Sequence, residues 1–169
     1  GGTGSDTVDY SYLTGADFGD DVDNVLYYEN GVYYSGIKVD LTDTLAQRIH
    51  HNYGTDTLLN IENVIGSTKS DYIVGNDKNN ILDGKGGNDY FVLGQGEDTI
   101  LGDTGTDTIA FTNTSRTLGV NVDLNKNQSY GSPDSYRVIS DGFGNAKYLD
   151  SIENVIGTKY DDIIFGNSD

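Results

Sequence analysis

The chain has no cysteine among its 169 residues, which excludes disulfide bonds and thiolate metal sites. An oxidising exterior therefore has nothing to crosslink. Positive charge is scarce too: 10 Lys and Arg stand against 27 Asp and Glu, a formal net charge of −17. That balance argues against nucleic acid and anionic membrane surfaces as direct partners, since both are bound through basic patches. Hydrophobic residues make up only 35%, poor material for an ordinary core. Low hydrophobicity with high like charge marks a chain that stays disordered until something neutralises it. No apolar run is long enough to span or insert into a membrane as a helix, and no stretch of these residues reads as a signal peptide. There is no cysteine nucleophile and no G-x-S-x-G elbow. The glycines precede acidic residues, which repel phosphate rather than cradle it. A glycosidase-like carboxylate pair stays open on chemistry alone, but no enzymatic activity is expected.

What the chain does have is glycine followed by aspartate at a fixed spacing. Residues 66–110 divide into the nonapeptides GSTKSDYIV, GNDKNNILD, GKGGNDYFV, LGQGEDTIL and GDTGTDTIA, starting at Gly66, Gly75, Gly84, Leu93 and Gly102. The sixth position holds Asp71, Asn80, Asp89, Asp98 or Asp107, and the eighth holds Ile73, Leu82, Phe91, Ile100 or Ile109. Such a period predicts a solenoid. Glycine suits the tight turn and lets backbone carbonyls converge, and a short strand then points the eighth side chain inward. Two units, about eighteen residues, complete one coil. Asp71, Asp89 and Asp107 are thus expected along one edge, with Asn80 and Asp98 along the other. Stacked carboxylates repel unless a cation sits between them, and a hard cation taking six to eight oxygens fits. That points to several calcium ions.

These units resemble G-G-x-G-x-D-x-U-x, the calcium-binding repeat of RTX proteins. GGTGSDTVD at residues 1–9 fits best, and GTKYDDIIF at 157–165 keeps Asp162 and Ile164. The resemblance implies an all-β fold: a calcium-bound parallel β-roll, or β-solenoid, with inserted loops or hairpins. It implies metal ligation around Asp6, Gly66, Asp71, Gly75, Asn80, Gly84, Gly86, Gly87, Asp89, Gly94, Gly96, Asp98, Gly102, Gly105, Asp107, Gly157 and Asp162. Residues 1–169 are expected to form a single roll fragment, with repeat blocks at about 1–110 and 102–169. Its closing Gly166-Asn-Ser-Asp169 opens another nonapeptide, so a piece of a longer protein is expected.

Between repeats the period breaks in a duplicated pattern: DTVDYS, GIKVDL and IENVIG in the first block, DTIAFT, GVNVDL and IENVIG in the second. The intervening inserts, about 12–35, 43–57, 112–118 and 126–147, read as excursions into solvent. The rungs are then Val8, Val39, Val64, Ile73, Leu82, Phe91, Ile100, Ile109, Val122, Val155 and Ile164, with Glu62 and Glu153 at the carboxylate position of their units. The block order resembles that of adenylate cyclase toxin and related RTX cytolysins, and similar junctions occur in RTX adhesins and other exoproteins. A secreted, extracellular toxin or virulence factor leaving by type I secretion is implied. The alternatives are a receptor- or polysaccharide-binding module of an adhesin, and a module appended to a secreted enzyme.

The Tyr-rich run at 24–36 predicts a hairpin turning at Asn30-Gly31. Its rings either pack on the flank of the roll or recognise a host receptor or polysaccharide. Residues 136–149 predict a second hairpin, turning at 141–145. Asp17, Asp20, Asp21 and Asp23 read as a solvated loop, with a further calcium as the alternative. His50-His51 point opposite ways on a strand, so zinc is disfavoured. The basic residues Lys38, Arg48, Lys69, Lys78, Lys85, Arg116, Lys126, Arg137, Lys147 and Lys159 read as scattered solubilising charges.

Overall fold

The computed structural model describes residues 2–13, 27–29, 32–49, 55–112, 115–125 and 136–167. Strands, most of three residues, alternate with turns, and the described residues contain no helix. In chain order they are β1 (Thr7–Asp9), β2 (Tyr27–Glu29), β3 (Val32–Tyr34), β4 (Lys38–Asp40), β5 (Ala46–Gln47), β6 (Asp56–Thr57), β7 (Asn63–Ile65), β8 (Tyr72–Val74) and β9 (Ile81–Asp83). There follow β10 (Tyr90–Val92), β11 (Thr99–Leu101), β12 (Thr108–Ala110), β13 (Asn121–Asp123), β14 (Tyr136–Ser140), β15 (Lys147–Asp150), β16 (Asn154–Ile156) and β17 (Ile163–Phe165).

Successive nonapeptides alternate between two sheets. One has the order β1-β7-β9-β11-β15-β14-β13-β17, the other β16-β12-β10-β8-β4. Pairing is parallel and in step with two repeats: Val64 faces Leu82, Leu82 faces Ile100, Ile73 faces Phe91 and Phe91 faces Ile109. The fold is an all-β parallel β-roll. Its interior is the stack of eighth-position side chains, from Val39 and Val64 through Ile109, all fully buried. Val8 and Val155 are partly buried and pack against this stack, while Ile164 is exposed beside Val122.

Two expectations about the rungs and inserts need correction. Val122 is a buried rung, but it does not stack on Ile100. Leu149 does. The predicted 136–149 hairpin exists, with Asp141 N–H donating to Asn145 O at 3.0 Å across its turn. Rather than leaving the roll, its strands β14 and β15 run antiparallel inside the larger sheet and separate Leu149 from Val122. Nor are the inserts simple excursions. Leu13, Tyr34, Ile49, Arg116 and Val138 are buried, and Ile49 O accepts the Lys38 N–H at 2.8 Å. With so few apolar residues in the repeats, the inserts supply part of the core.

The Tyr-rich hairpin pairs as expected, Tyr27 with Tyr34 and Glu29 with Val32. It packs on the outer face of the smaller sheet. Tyr72 and Tyr90 stack with centroids 5.4 Å apart and planes 5° from parallel, and the buried Tyr34 ring meets them edge-on at 5.4 and 6.0 Å. Tyr33, by contrast, is 63% exposed. The side chains of Tyr27 and Tyr28 lie outside the described residues, as do Asp17, Asp20, Asp21, Asp23, His50 and His51.

Candidate metal centre

Each repeat delivers its sixth side chain just before a strand, so the parallel pairing stacks these side chains in two columns. On the smaller sheet the column is Asp71, Asp89, Asp107 and Glu153. Each carboxylate accepts the backbone N–H of the sixth residue stacked beneath it: Ile37 N–H donates to Asp71 Oδ1 at 2.7 Å, Asp71 N–H to Asp89 Oδ1 at 2.8 Å, Asp89 N–H to Asp107 Oδ1 at 2.8 Å, and Asp107 N–H to Glu153 Oε2 at 2.7 Å. On the larger sheet Asp6 N–H donates to Glu62 Oε2 at 3.0 Å, Asn80 N–H to Asp98 Oδ1 at 2.9 Å and Val120 N–H to Asp162 Oδ1 at 2.9 Å. The same rule thus operates along both edges.

The glycines make room for this arrangement. At Gly66, Gly75, Gly84, Gly102 and Gly157 an added Cβ would strike the sixth residue of the same repeat, and at Gly102 also Ser151 O. Gly94 abuts Asn76 O and Gly86 abuts Thr104, both in stacked loops. The fourth-position Gly87, Gly96 and Gly105 have φ of 110°, 94° and 142°. At Gly87 a side chain would be strained by that φ and would also strike the Lys69–Ser70 backbone of the loop below.

The second carboxylate oxygens divide the loops. In Asp71 and Asp162 Oδ2 is satisfied locally, by the N–H of Ser67 at 2.7 Å and of Thr158 at 2.8 Å. Asp89 Oδ2 and Asp107 Oδ2 are buried with no hydrogen-bond partner in the protein. Burial pushes the Asp89 carboxyl up to about 10, helped by the neighbouring Asp71 and Asp107 charges. Burial likewise raises Asp71 to about 7, and burial with the Glu153 charge raises Asp107 to about 6. An orphaned buried oxygen in a column of like charges is what a bound cation would resolve. Among the described residues no three acidic or imidazole side chains converge on one point. Turn carbonyls would supply the further ligands, a donor set that suits calcium and not zinc.

A second group was missed by the sequence reading. Lys147 and Arg116 are not solubilising charges but buried ones. Lys147 Nζ lies 2.7 Å from Asp98 Oδ2 and 3.1 Å from Asp141 Oδ2. Two further lysines are tied to acids near the loops, Lys78 to Glu62 at 2.6 Å and Lys85 to Asp83 at 2.7 Å.

A search of curated proteins finds no match. A family model described as the RTX calcium-binding nonapeptide repeat (4 copies) matches residues 65–100, 74–109 and 150–169, the segments that build the stacked loops. With its parallel roll and its columns of sixth-position acids, the chain is an RTX repeat protein, whose repeats imply calcium binding.

Proposed function

We propose that residues 1–169 form one calcium-driven folding and secretion module of a large secreted bacterial exoprotein, an RTX cytolysin, that folds outside the cell after type I secretion. A chain unfolded in a calcium-poor cytoplasm can thread a channel and close its coils only where calcium is abundant. The module is given no catalytic role. The observation that carries this reading is the Asp71–Asp89–Asp107 column, buried and with two oxygens left without a partner.

Asp89 and Asp107, with the glycine turns at 84–87 and 102–105, are the principal calcium ligands in this reading. Asp6, Asp71, Asn80 and Asp162, with the turns at 66, 75 and 157, complete the two edges, while Asp98 and the turn at 94–96 hold the corresponding position beside Lys147. Calcium supplies the positive charge that lets stacked carboxylates stay ionised. With a dissociation constant near about 10⁻⁴ M, typical of extracellular modules, millimolar calcium contributes about 1.4 kcal/mol per site. No single site decides the state; several together do.

The unequal columns provide the test. Asp89→Ala removes a buried carboxylate between two stacked acids, whereas Asn80→Ala removes a neutral amide. The calcium midpoint of folding, followed by circular dichroism, should rise more for Asp89→Ala. Equal midpoints would contradict the assignment of Asp89 as a ligand.

A further inference from the structure

The register that stacks Asp71, Asp89 and Asp107 in one column places Asn80, Asp98 and Lys147 in the other. Lys147 precedes Tyr148-Leu149-Asp150 as Asp98 precedes Thr99-Ile100-Leu101, and these two triplets pair residue for residue. A base thus stands at the position that Asp98 holds in the repeat stacked on it. Its Nζ donates to Asp98 Oδ2 at 2.7 Å and to Gly96 O at 2.7 Å, and the side chain is fully buried.

Four loops carry a fourth-position glycine with positive φ; in the first, at Gly4, Asp6 Oδ2 accepts the Gly2 N–H at 2.7 Å, and the other three, at Gly87, Gly96 and Gly105, can be compared atom for atom. Oδ2 of Asp89 and Oδ2 of Asp107 have no partner. The equivalent atom of Asp98 is held by an ammonium. Arg116 completes the cluster from the 112–118 insert: Nη1 donates to Asp141 O, Nη2 donates to Leu93 O at 2.7 Å, and the guanidinium lies 5.0 Å from the Phe111 ring and 4.7 Å from the Phe143 ring. Asp98 and Asp141 against Lys147 and Arg116 sum to zero. A divalent ion added among them would be a buried, uncompensated charge, which is strongly unfavourable.

We infer that Lys147 is a built-in cation filling the metal position of the Gly96–Asp98 loop, so that this end of one edge closes without calcium while the Asp71–Asp89–Asp107 edge requires it. The inference rests on the reading of Asp89 and Asp107 as calcium ligands. Lys147 reaches Asp98 from the 136–150 hairpin, so the spliced-in hairpin carries its own counter-ion into the roll.

The test is the calcium bound per chain at saturation, by equilibrium dialysis, with folding checked by circular dichroism. Four proteins are compared: the parent, Asp89→Asn, Lys147→Met, and the neutral pair Asp98→Asn with Lys147→Gln. Asp89→Asn should lose at least one equivalent. The neutral pair should keep the parent count, and Lys147→Met should gain one equivalent, because Asp98 and Asp141 then outnumber Arg116. An unchanged count in a folded Lys147→Met, or a loss of one equivalent in the neutral pair, overturns the inference; if Lys147→Met does not fold, the pair decides. A full count in Asp89→Asn instead sinks the reading of the acidic edge, so the two failures are distinguishable.

Discussion

Burial of a carboxylate is the feature from which the rest follows. Asp71, Asp89 and Asp107 hold protons more tightly in the calcium-free roll than in an unfolded chain, where the ordinary value is near 3.8. The folded state therefore binds more protons above that value, and stability falls as pH rises. This contribution is complete below about pH 4 and is lost as pH climbs through about 6 for Asp107, 7 for Asp71 and 10 for Asp89. Protons should thus substitute in part for calcium: a calcium-free chain brought from pH 7.5 to 5 should gain strand signal in circular dichroism. The opposite sense comes from Asp162, where hydrogen bonds from Val120 and Thr158 outweigh burial and hold the carboxyl below the usual range. That contribution is present above the ordinary value and fades only at lower pH. A strand signal that falls over the pH 7.5 to 5 interval would contradict the account of the buried column. Backbone strain gives a second test at this scale. Gly87 and Gly144 both have positive φ, 110° and 97°, but only Gly87 has another loop within 4 Å of an added Cβ. Gly144→Ala should cost about 1 kcal/mol from φ alone, and Gly87→Ala clearly more, read as urea stability at saturating calcium. Equal losses would mean that the stacked loops are not in contact.

Among the elements, the Tyr-rich hairpin is a lid on the smaller sheet. Tyr34 is buried against Tyr72 and Tyr90 while Tyr33 next to it is 63% exposed. Tyr34→Ala should cost about 3 kcal/mol, in the range of buried aromatic truncations, and Tyr33→Ala less than about 0.5 kcal/mol. Urea unfolding at fixed calcium would separate the two, and similar losses would refute the packing. Deleting residues 24–34, which a passenger insert would tolerate, removes this ring and should raise the calcium midpoint. The repeats were legible because everything they need lies within nine residues: the turn glycine, the acid and the inward apolar side chain recur locally. The returns of the inserts were not, since Tyr34 reaches Tyr90, and Arg116 reaches Leu93, across tens of residues with no period to announce the contact. Lys147 was hidden for a related reason. Leu149 precedes Val155 by six residues where a regular half coil has nine, so counting back in nines from Gly157 passes over it. Once Leu149 is set beside Ile100, the lysine before Tyr148 falls at the acid position.

For the whole molecule, the proposed function makes metal and fold one equilibrium, in keeping with a net charge of −17 and a narrow interior. Val64 lies fully buried in the apolar interior, between Val8 and Leu82. Val64→Asp would bury an unpaired charge and should prevent folding at any calcium concentration, as judged by the strand signal. The most direct measurement is a calcium titration of the chelated chain at neutral pH, following circular dichroism and the radius of gyration by X-ray scattering together. The account predicts an expanded chain without strand signal in chelator, and a cooperative, coincident gain of strand and compactness as calcium approaches millimolar. A chelated chain that keeps its compact radius and its strands would contradict it.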